Sequence, residues 1–103
     1  LTALSGSGPA YLFYIADAMI EAGVHQGLTR ADATTLTTQT FLAAAELLAQ
    51  SGKTAVELRE QVTSPGGTTA AALRALDDHG VRAAVMDAVD ACAARAKALA
   101  REG

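Results

Sequence analysis

The feature that most constrains this sequence is the spacing of its apolar residues. Along nearly the whole chain they recur every three or four residues, which is the period of one face of an α-helix. No segment alternates apolar and polar residues over the length of a strand, so β-strands are not expected. Gly27, Gly52 and Gly80 interrupt the pattern at points where helices would end. The chain is therefore predicted to be all-α.

Capping residues and helix terminators divide the chain into about five helices, which we expect to form a bundle in one domain spanning residues 1–103. Thr29 and Thr54 each stand three residues before an acidic residue, the spacing of a capping box. The first long helix is expected to run from Pro9, capped by Ser7 or Gly8, to near Gly27, and the second from Thr29 to Gly52. A short third helix should run from Thr54 to before Pro65. The fourth is expected from the 63–69 segment to about His79, and the fifth from Val81 to about Arg101.

The first long helix is expected to be central in the fold. Most of its surface is apolar, and its polar residues form one stripe at four-residue spacing, made of Asp17, Glu21 and His25. Glu21 and His25 are expected to form a surface pair. Hydrophobic residues make up 50% of the chain but aromatic residues only 4%, and much of the remainder is alanine, which buries little area. Such a thin core predicts an oligomer, in which helices bury surface against a second copy.

Charge and composition exclude several classes of function. A net charge of −3 provides no basic surface for nucleic acid, and no apolar run reaches the roughly 20 residues of a membrane span. Two separated histidines, His25 and His79, give no metal-ligand spacing, so no metal is predicted. His79 is expected to cap a helix C-terminus. The single cysteine, Cys92, is expected to be a buried, inert thiol and favours a reducing compartment, here the cytoplasm.

One segment, Thr-Ser-Pro-Gly-Gly-Thr-Thr at 63–69, combines a proline, two glycines and hydroxyl residues directly before a helix. Glycines allow a ligand to approach the backbone, and the first N–H groups of a helix lack internal partners and lie at the positive end of its dipole. Because the loop has hydroxyls but no Lys or Arg, it suits a small carboxylate better than a polyphosphate. The alternative is a simple helix connection in which Thr68 or Thr69 is the N-cap.

Three segments together resemble the C-terminal half of the pyrroline-5-carboxylate reductase family. They are Ser-Gly-Ser-Gly-Pro-Ala-Tyr at 5–11, Gly-Val-His-Gln-Gly-Leu-Thr-Arg at 23–30 and Thr-Ser-Pro-Gly-Gly-Thr-Thr-Ala-Ala-Ala-Leu at 63–73. The resemblance covers essentially the whole chain, and its most specific part is the last segment. By itself, the segment before the first long helix is a weak signal: it could let a ligand or a neighbouring backbone come close, but the favoured interpretation is that Gly6 and Gly8 shape the turn into the helix.

The resemblance implies an interlocked homodimer, or a higher oligomer, that binds 1-pyrroline-5-carboxylate and produces L-proline. It implies that the Ser64 hydroxyl and backbone N–H groups near Gly67 and Thr68 bind the carboxylate, with Gly66 in the same substrate loop. Thr69 is then the catalytic side chain and faces the ring nitrogen. Two sources of the proton for that nitrogen stay open, namely Thr69 through solvent and solvent directly.

The resemblance also implies NADPH or NADH as cofactor, although no Gly-x-Gly-x-x-Gly follows a strand here. We therefore expect the nucleotide to bind mainly to an N-terminal Rossmann domain that this chain lacks, and the chain alone to be inactive. Two alternatives remain. The first is a non-catalytic helical dimerisation module. The second is the helical domain of a hydroxy-acid dehydrogenase, which would carry a catalytic lysine on the first long helix, whereas the first lysine here is Lys53.

Overall fold

The computed structural model describes residues 1–102, and this part of the chain contains six α-helices and no strand. The all-α prediction and the five predicted helices are confirmed. The additional helix is a single turn at the N-terminus without a side-chain cap. In chain order the helices are α1 (Thr2–Ser5), α2 (Gly8–His25), α3 (Arg30–Gln50), α4 (Ala55–Gln61), α5 (Thr68–Asp78) and α6 (Val81–Glu102).

Local signals set the helix ends as the sequence predicts. Gly27, Gly52 and Gly80 follow helices with φ of 108°, 73° and 66°, the left-handed conformation that glycine adopts without steric cost. At the start of α4 the capping box is complete, because the Thr54 N–H donates to Glu57 Oε1 (3.0 Å) and the Glu57 N–H donates to Thr54 Oγ1 (3.1 Å). Each cap gives partners to backbone groups that the helix cannot satisfy itself.

Residues 10–62 form one compact unit, which contains most of α2 together with α3 and α4. α2 and α3 meet near their connecting turn, where a Cβ on Gly23 would lie 3.0 Å from the Cβ of Ala33. The absence of a side chain at Gly23 therefore permits this close approach. The predicted Glu21–His25 pair is wrong, because Glu21 instead forms an exposed salt bridge of 2.6 Å with Arg30 across the turn.

Residues 1–9 and the described residues from 63 to 102 form the second compact unit, in which α6 packs against both α1 and α5. The Cys92 thiol, half-buried on α6, donates to the Ser7 hydroxyl at 3.3 Å and so links α6 to the segment that precedes α2. His79 is the C-cap residue of α5, as predicted, and its Nδ1 lies 2.9 Å from the Ala75 carbonyl oxygen. This unit contains the 63–69 loop.

Few side chains are buried in the single chain. In the described part, the buried residues are Ala3, Ala33 and Thr37. The prediction that the first long helix is central is wrong for the chain alone, because no residue of α2 is buried and Phe13 and Tyr14 are 71% and 80% exposed. None of the helices in residues 1–102 is long and apolar enough to cross a membrane.

Candidate functional site

The loop before α5 folds back on itself through a tight turn. The Gly67 N–H donates to the Ser64 carbonyl oxygen at 3.0 Å, which closes a four-residue turn with Pro65 and Gly66 at its centre. Gly66 has a φ of 71°. Proline at the second position and a glycine with positive φ at the third are the features of a type II turn. The local sequence therefore places Ser64 beside the start of α5.

The first N–H groups of α5 lack partners in the described part of the chain. Gly67 is the N-cap residue and offers no side chain to them, and the first helical hydrogen bond runs from the Ala71 N–H to the Gly67 carbonyl oxygen at 3.2 Å. The N–H groups of Thr68, Thr69 and Ala70 consequently remain available at the positive end of the helix dipole. The alternative in which Thr68 or Thr69 is the N-cap is wrong.

Two hydroxyl groups border these N–H groups without taking part in helix capping. Thr69 is partly exposed at the second position of α5, and Ser64 is exposed at the start of the turn. Neither hydroxyl has a hydrogen-bond partner among residues 1–102. A hydroxyl can both donate to a carboxylate and accept from a protonated nitrogen, so the loop offers two such groups for a ligand.

The donors of this loop match a small anion. Backbone N–H groups and neutral hydroxyls surround the helix N-terminus, and residues 63–69 contain no Lys or Arg. A single carboxylate needs only a few hydrogen bonds and a partial positive charge, whereas a polyphosphate generally also requires cations. No three His, Cys, Asp or Glu side chains in residues 1–102 are grouped to hold a metal ion.

The predicted site residues are brought together in this loop, but the Gly67 N–H is already engaged. Because it donates to Ser64 within the turn, the unpartnered backbone donors begin at Thr68 rather than at Gly67. The substrate-binding assignments of Ser64, Gly66, Gly67, Thr68 and Thr69, and the catalytic assignment of Thr69, remain predictions.

The glycine-rich segment before α2 has a structural explanation. A Cβ on Gly6 would lie 3.0 Å from Cγ2 of Thr2 and 3.1 Å from its carbonyl oxygen, so α1 leaves no room for a side chain there. Ser7 is held by the thiol of Cys92. The contact at Gly6 supports the interpretation that this glycine shapes the turn into α2, whereas a Cβ on Gly8 would meet nothing within 4 Å. The one-turn helix α1 was not predicted from the sequence, since four residues without a side-chain cap give no periodic signal.

Comparison with known proteins agrees with this resemblance over nearly the whole chain. Residues 1–99 match the family model described as pyrroline-5-carboxylate reductase dimerisation. The pyrroline-5-carboxylate reductase of Corynebacterium melassecola is 48% identical over 101 residues, which are 98% of this chain and 37% of that protein. The reductase of Pseudomonas aeruginosa is 45% identical over 102 residues, covering 99% of this chain and 37% of the relative.

Solved structures share the fold. The Coxiella burnetii pyrroline-5-carboxylate reductase superposes with a TM-score of 0.91 at 46% identity, covering 95% of this chain and 36% of that one. The crystal structure of the Plasmodium falciparum pyrroline carboxylate reductase with NADP bound gives a TM-score of 0.91 at 37% identity, covering 94% and 39%. The chain thus spans little more than a third of the length of these relatives. By its family match and its identity to these reductases, the chain belongs to the pyrroline-5-carboxylate reductase dimerisation family.

Proposed function

We propose that residues 1–103 are the substrate-binding and dimerisation part of a longer pyrroline-5-carboxylate reductase, which reduces 1-pyrroline-5-carboxylate to L-proline with NADPH or NADH. The observation that carries the proposal is the set of unpartnered donors at the start of α5. The N–H groups of Thr68, Thr69 and Ala70 and the hydroxyls of Ser64 and Thr69 lie in the 63–73 segment, which most specifically resembles the family. The single cysteine favours the cytoplasm as the site of action.

In this proposal the loop binds and orients the substrate. The carboxylate accepts hydrogen bonds from the Ser64 hydroxyl and from the Thr68 N–H, and the helix dipole adds favourable electrostatics. The Thr69 hydroxyl meets the ring nitrogen, where a proton is gained as the imine becomes an amine. Holding both ends of a small rigid ring fixes its imine carbon for reaction, and such orientation lowers a barrier by on the order of 7 to 11 kcal/mol in favourable cases.

The cofactor is assigned to the part of the longer protein outside this chain. Residues 1–102 contain no strand followed by a glycine fingerprint, so they do not fit a dinucleotide of the Rossmann type. When bound, the reduced nicotinamide supplies the hydride for the imine carbon. The C=N π electrons then become the lone pair on nitrogen that takes up the proton.

A homodimer accounts for the exposed apolar surface. Large apolar side chains on α2 are exposed in the single chain, with Leu12 54%, Phe13 71% and Tyr14 80% exposed. Exposed large apolar side chains that are close in sequence are typical of a protein–protein interface. We assign this surface to a second copy of the same chain.

The proposal is tested with the full-length polypeptide that contains this chain and with residues 1–103 alone. The full-length protein is expected to oxidise NADPH or NADH in the presence of pyrroline-5-carboxylate, and the short chain to show neither turnover nor nucleotide binding. In a second experiment, L-proline is titrated into the ¹⁵N-labelled full-length protein. The amide resonances of residues 66–69 should shift with L-proline but not with pyrrolidine, which has the same ring without the carboxylate.

The other outcomes identify the alternatives. A protein that dimerises but shows no shift at residues 66–69 and no turnover would be a non-catalytic dimerisation module whose glycine loop only connects helices. Reduction of hydroxy acids in place of pyrroline-5-carboxylate would indicate the related dehydrogenase class. Turnover by residues 1–103 alone would show that the nucleotide site has been placed wrongly.

A further inference from the structure

The two glycines of the 63–69 loop are adjacent but have different structural reasons to be glycine. Gly66 has a φ of 71°, and a Cβ placed on it would meet nothing within 4 Å. Its backbone conformation, rather than a lack of space, disfavours a side chain there. Gly67 has φ of −82° and ψ of −177°, an extended conformation that any residue adopts. The reason for glycine at position 67 must therefore be sought in its contacts.

The space beside Gly67 is filled by Ser64. A Cβ on Gly67 would lie 3.2 Å from the Ser64 carbonyl oxygen and 3.5 Å from both its Cβ and its Oγ. The nearest of these contacts is tighter than ordinary van der Waals separation, and the atom involved accepts the hydrogen bond that closes the turn. A side chain at position 67 would push Ser64 outward by a few tenths of an ångström, because a backbone atom cannot rotate away as a side chain does.

The position of Ser64 over Gly67 matters because it sets the distance between two donors. With Oγ 3.5 Å from the Cβ position of Gly67, standard bond lengths place the Thr68 nitrogen no more than about 7.5 Å from that hydroxyl. A carboxylate that accepts one hydrogen bond of about 2.8 Å at each oxygen bridges donors up to roughly 8 Å apart. The Ser64 hydroxyl and the Thr68 N–H are thus within reach of one carboxylate, and displacing Ser64 by a few tenths of an ångström would lengthen one of the two hydrogen bonds.

We propose that Gly67 is a positioning residue for substrate binding, whose missing side chain keeps the Ser64 hydroxyl close enough to the N-terminus of α5 to share one carboxylate with the Thr68 N–H. Gly67 acts through Ser64 and not through its own N–H, which the turn occupies. The inference rests on the proposed function, since it assumes that the carboxylate of pyrroline-5-carboxylate binds in this loop.

A double-mutant cycle in the full-length reductase tests the inference. The four proteins are wild type, Gly67→Ala, Ser64→Ala and the double variant, and the measured quantities are kcat and the KM values for pyrroline-5-carboxylate and for the nucleotide. We expect Gly67→Ala to raise the KM for pyrroline-5-carboxylate by about three- to tenfold, a partial loss of one charge-assisted hydrogen bond. In the Ser64→Ala background, which has no hydroxyl to displace, the same change should alter that KM by less than about twofold.

The kinetic pattern distinguishes positioning from a general structural role. In all four proteins kcat and the nucleotide KM should stay near wild type, and the denaturation midpoint should show that each is folded. If Gly67→Ala raised the KM for pyrroline-5-carboxylate equally in both backgrounds, the inference would be overturned. A Gly67→Ala protein that does not fold would also overturn it, because a shift of a few tenths of an ångström in an exposed loop should leave the fold intact. A wild-type protein that does not reduce pyrroline-5-carboxylate would instead refute the proposed function.

Discussion

Replacing Thr69 by valine removes one hydroxyl from the loop and leaves the shape of the side chain unchanged. The structure makes this variant informative, because Thr69 is the second residue of α5 and Gly67 is the N-cap, so no capping hydrogen bond is lost. Threonine and valine also have similar helix propensities. The free energy of unfolding of Thr69→Val should therefore differ from that of wild type by no more than about 0.5 kcal/mol.

The kinetic effect should be much larger. If the Thr69 hydroxyl bonds to the ring nitrogen, valine removes a hydrogen bond to a partner that carries partial charge, worth about 1.5 to 3 kcal/mol. That loss corresponds to roughly a ten- to hundredfold lower kcat/KM. Part of it should fall on kcat, because the bond strengthens as the nitrogen gains its proton. Thr68→Val should cost less, because only the backbone N–H of Thr68 is assigned to the substrate.

The assay combines steady-state kinetics with chemical denaturation of the same full-length preparations. A fall in kcat/KM with an unchanged midpoint places the Thr69 hydroxyl at the reacting ring. A near-normal kcat/KM for Thr69→Val would remove Thr69 from the active site and refute the reasoning. A lowered midpoint would mean that the hydroxyl has a structural partner outside residues 1–102.

Three further predictions concern the loop, the dimer and the capping box. Ser64→Ala should raise the KM for pyrroline-5-carboxylate about tenfold with little change in kcat or nucleotide KM, because the carboxylate is present throughout the reaction; a fall confined to kcat would contradict this. Residues 1–103 should sediment as a dimer at tens of micromolar, and a monomeric mass would count against the assignment of the α2 surface. The pKa of Glu57 is lowered mainly by a hydrogen bond from the Thr54 N–H and to a lesser extent by the Thr54 side chain. The stabilisation of the fold by the Glu57 charge is therefore present above the usual glutamate pKa and is lost as pH falls through the lowered value. The wild-type advantage over Glu57→Gln in denaturation midpoint should therefore shrink below about pH 4, and a difference independent of pH would refute the effect.

Helix boundaries could be predicted because each is determined by a few neighbouring residues. The Thr54–Glu57 box and the glycine terminators act within one helical turn, and they lie where the sequence places them. Burial could not be predicted in the same way. Apolar periodicity shows that a face of α2 avoids water but does not say whether the same chain covers it, and Phe13 remains 71% exposed. The assumption of a central helix failed for this reason.

The same distinction holds within the candidate site. The sequence Ser64-Pro65-Gly66 predicts a turn because proline and glycine restrict or permit particular backbone angles, and the positive φ of Gly66 agrees with it. The sequence does not reveal the role of Gly67, since that role depends on how far the turn brings the Ser64 carbonyl and hydroxyl back toward α5. Nor does the sequence identify the N-cap, because Thr68 and Thr69 are better capping residues than Gly67 in isolation. The turn leaves both threonines inside the helix, and their N–H groups and the Thr69 hydroxyl stay available for a ligand because no cap uses them.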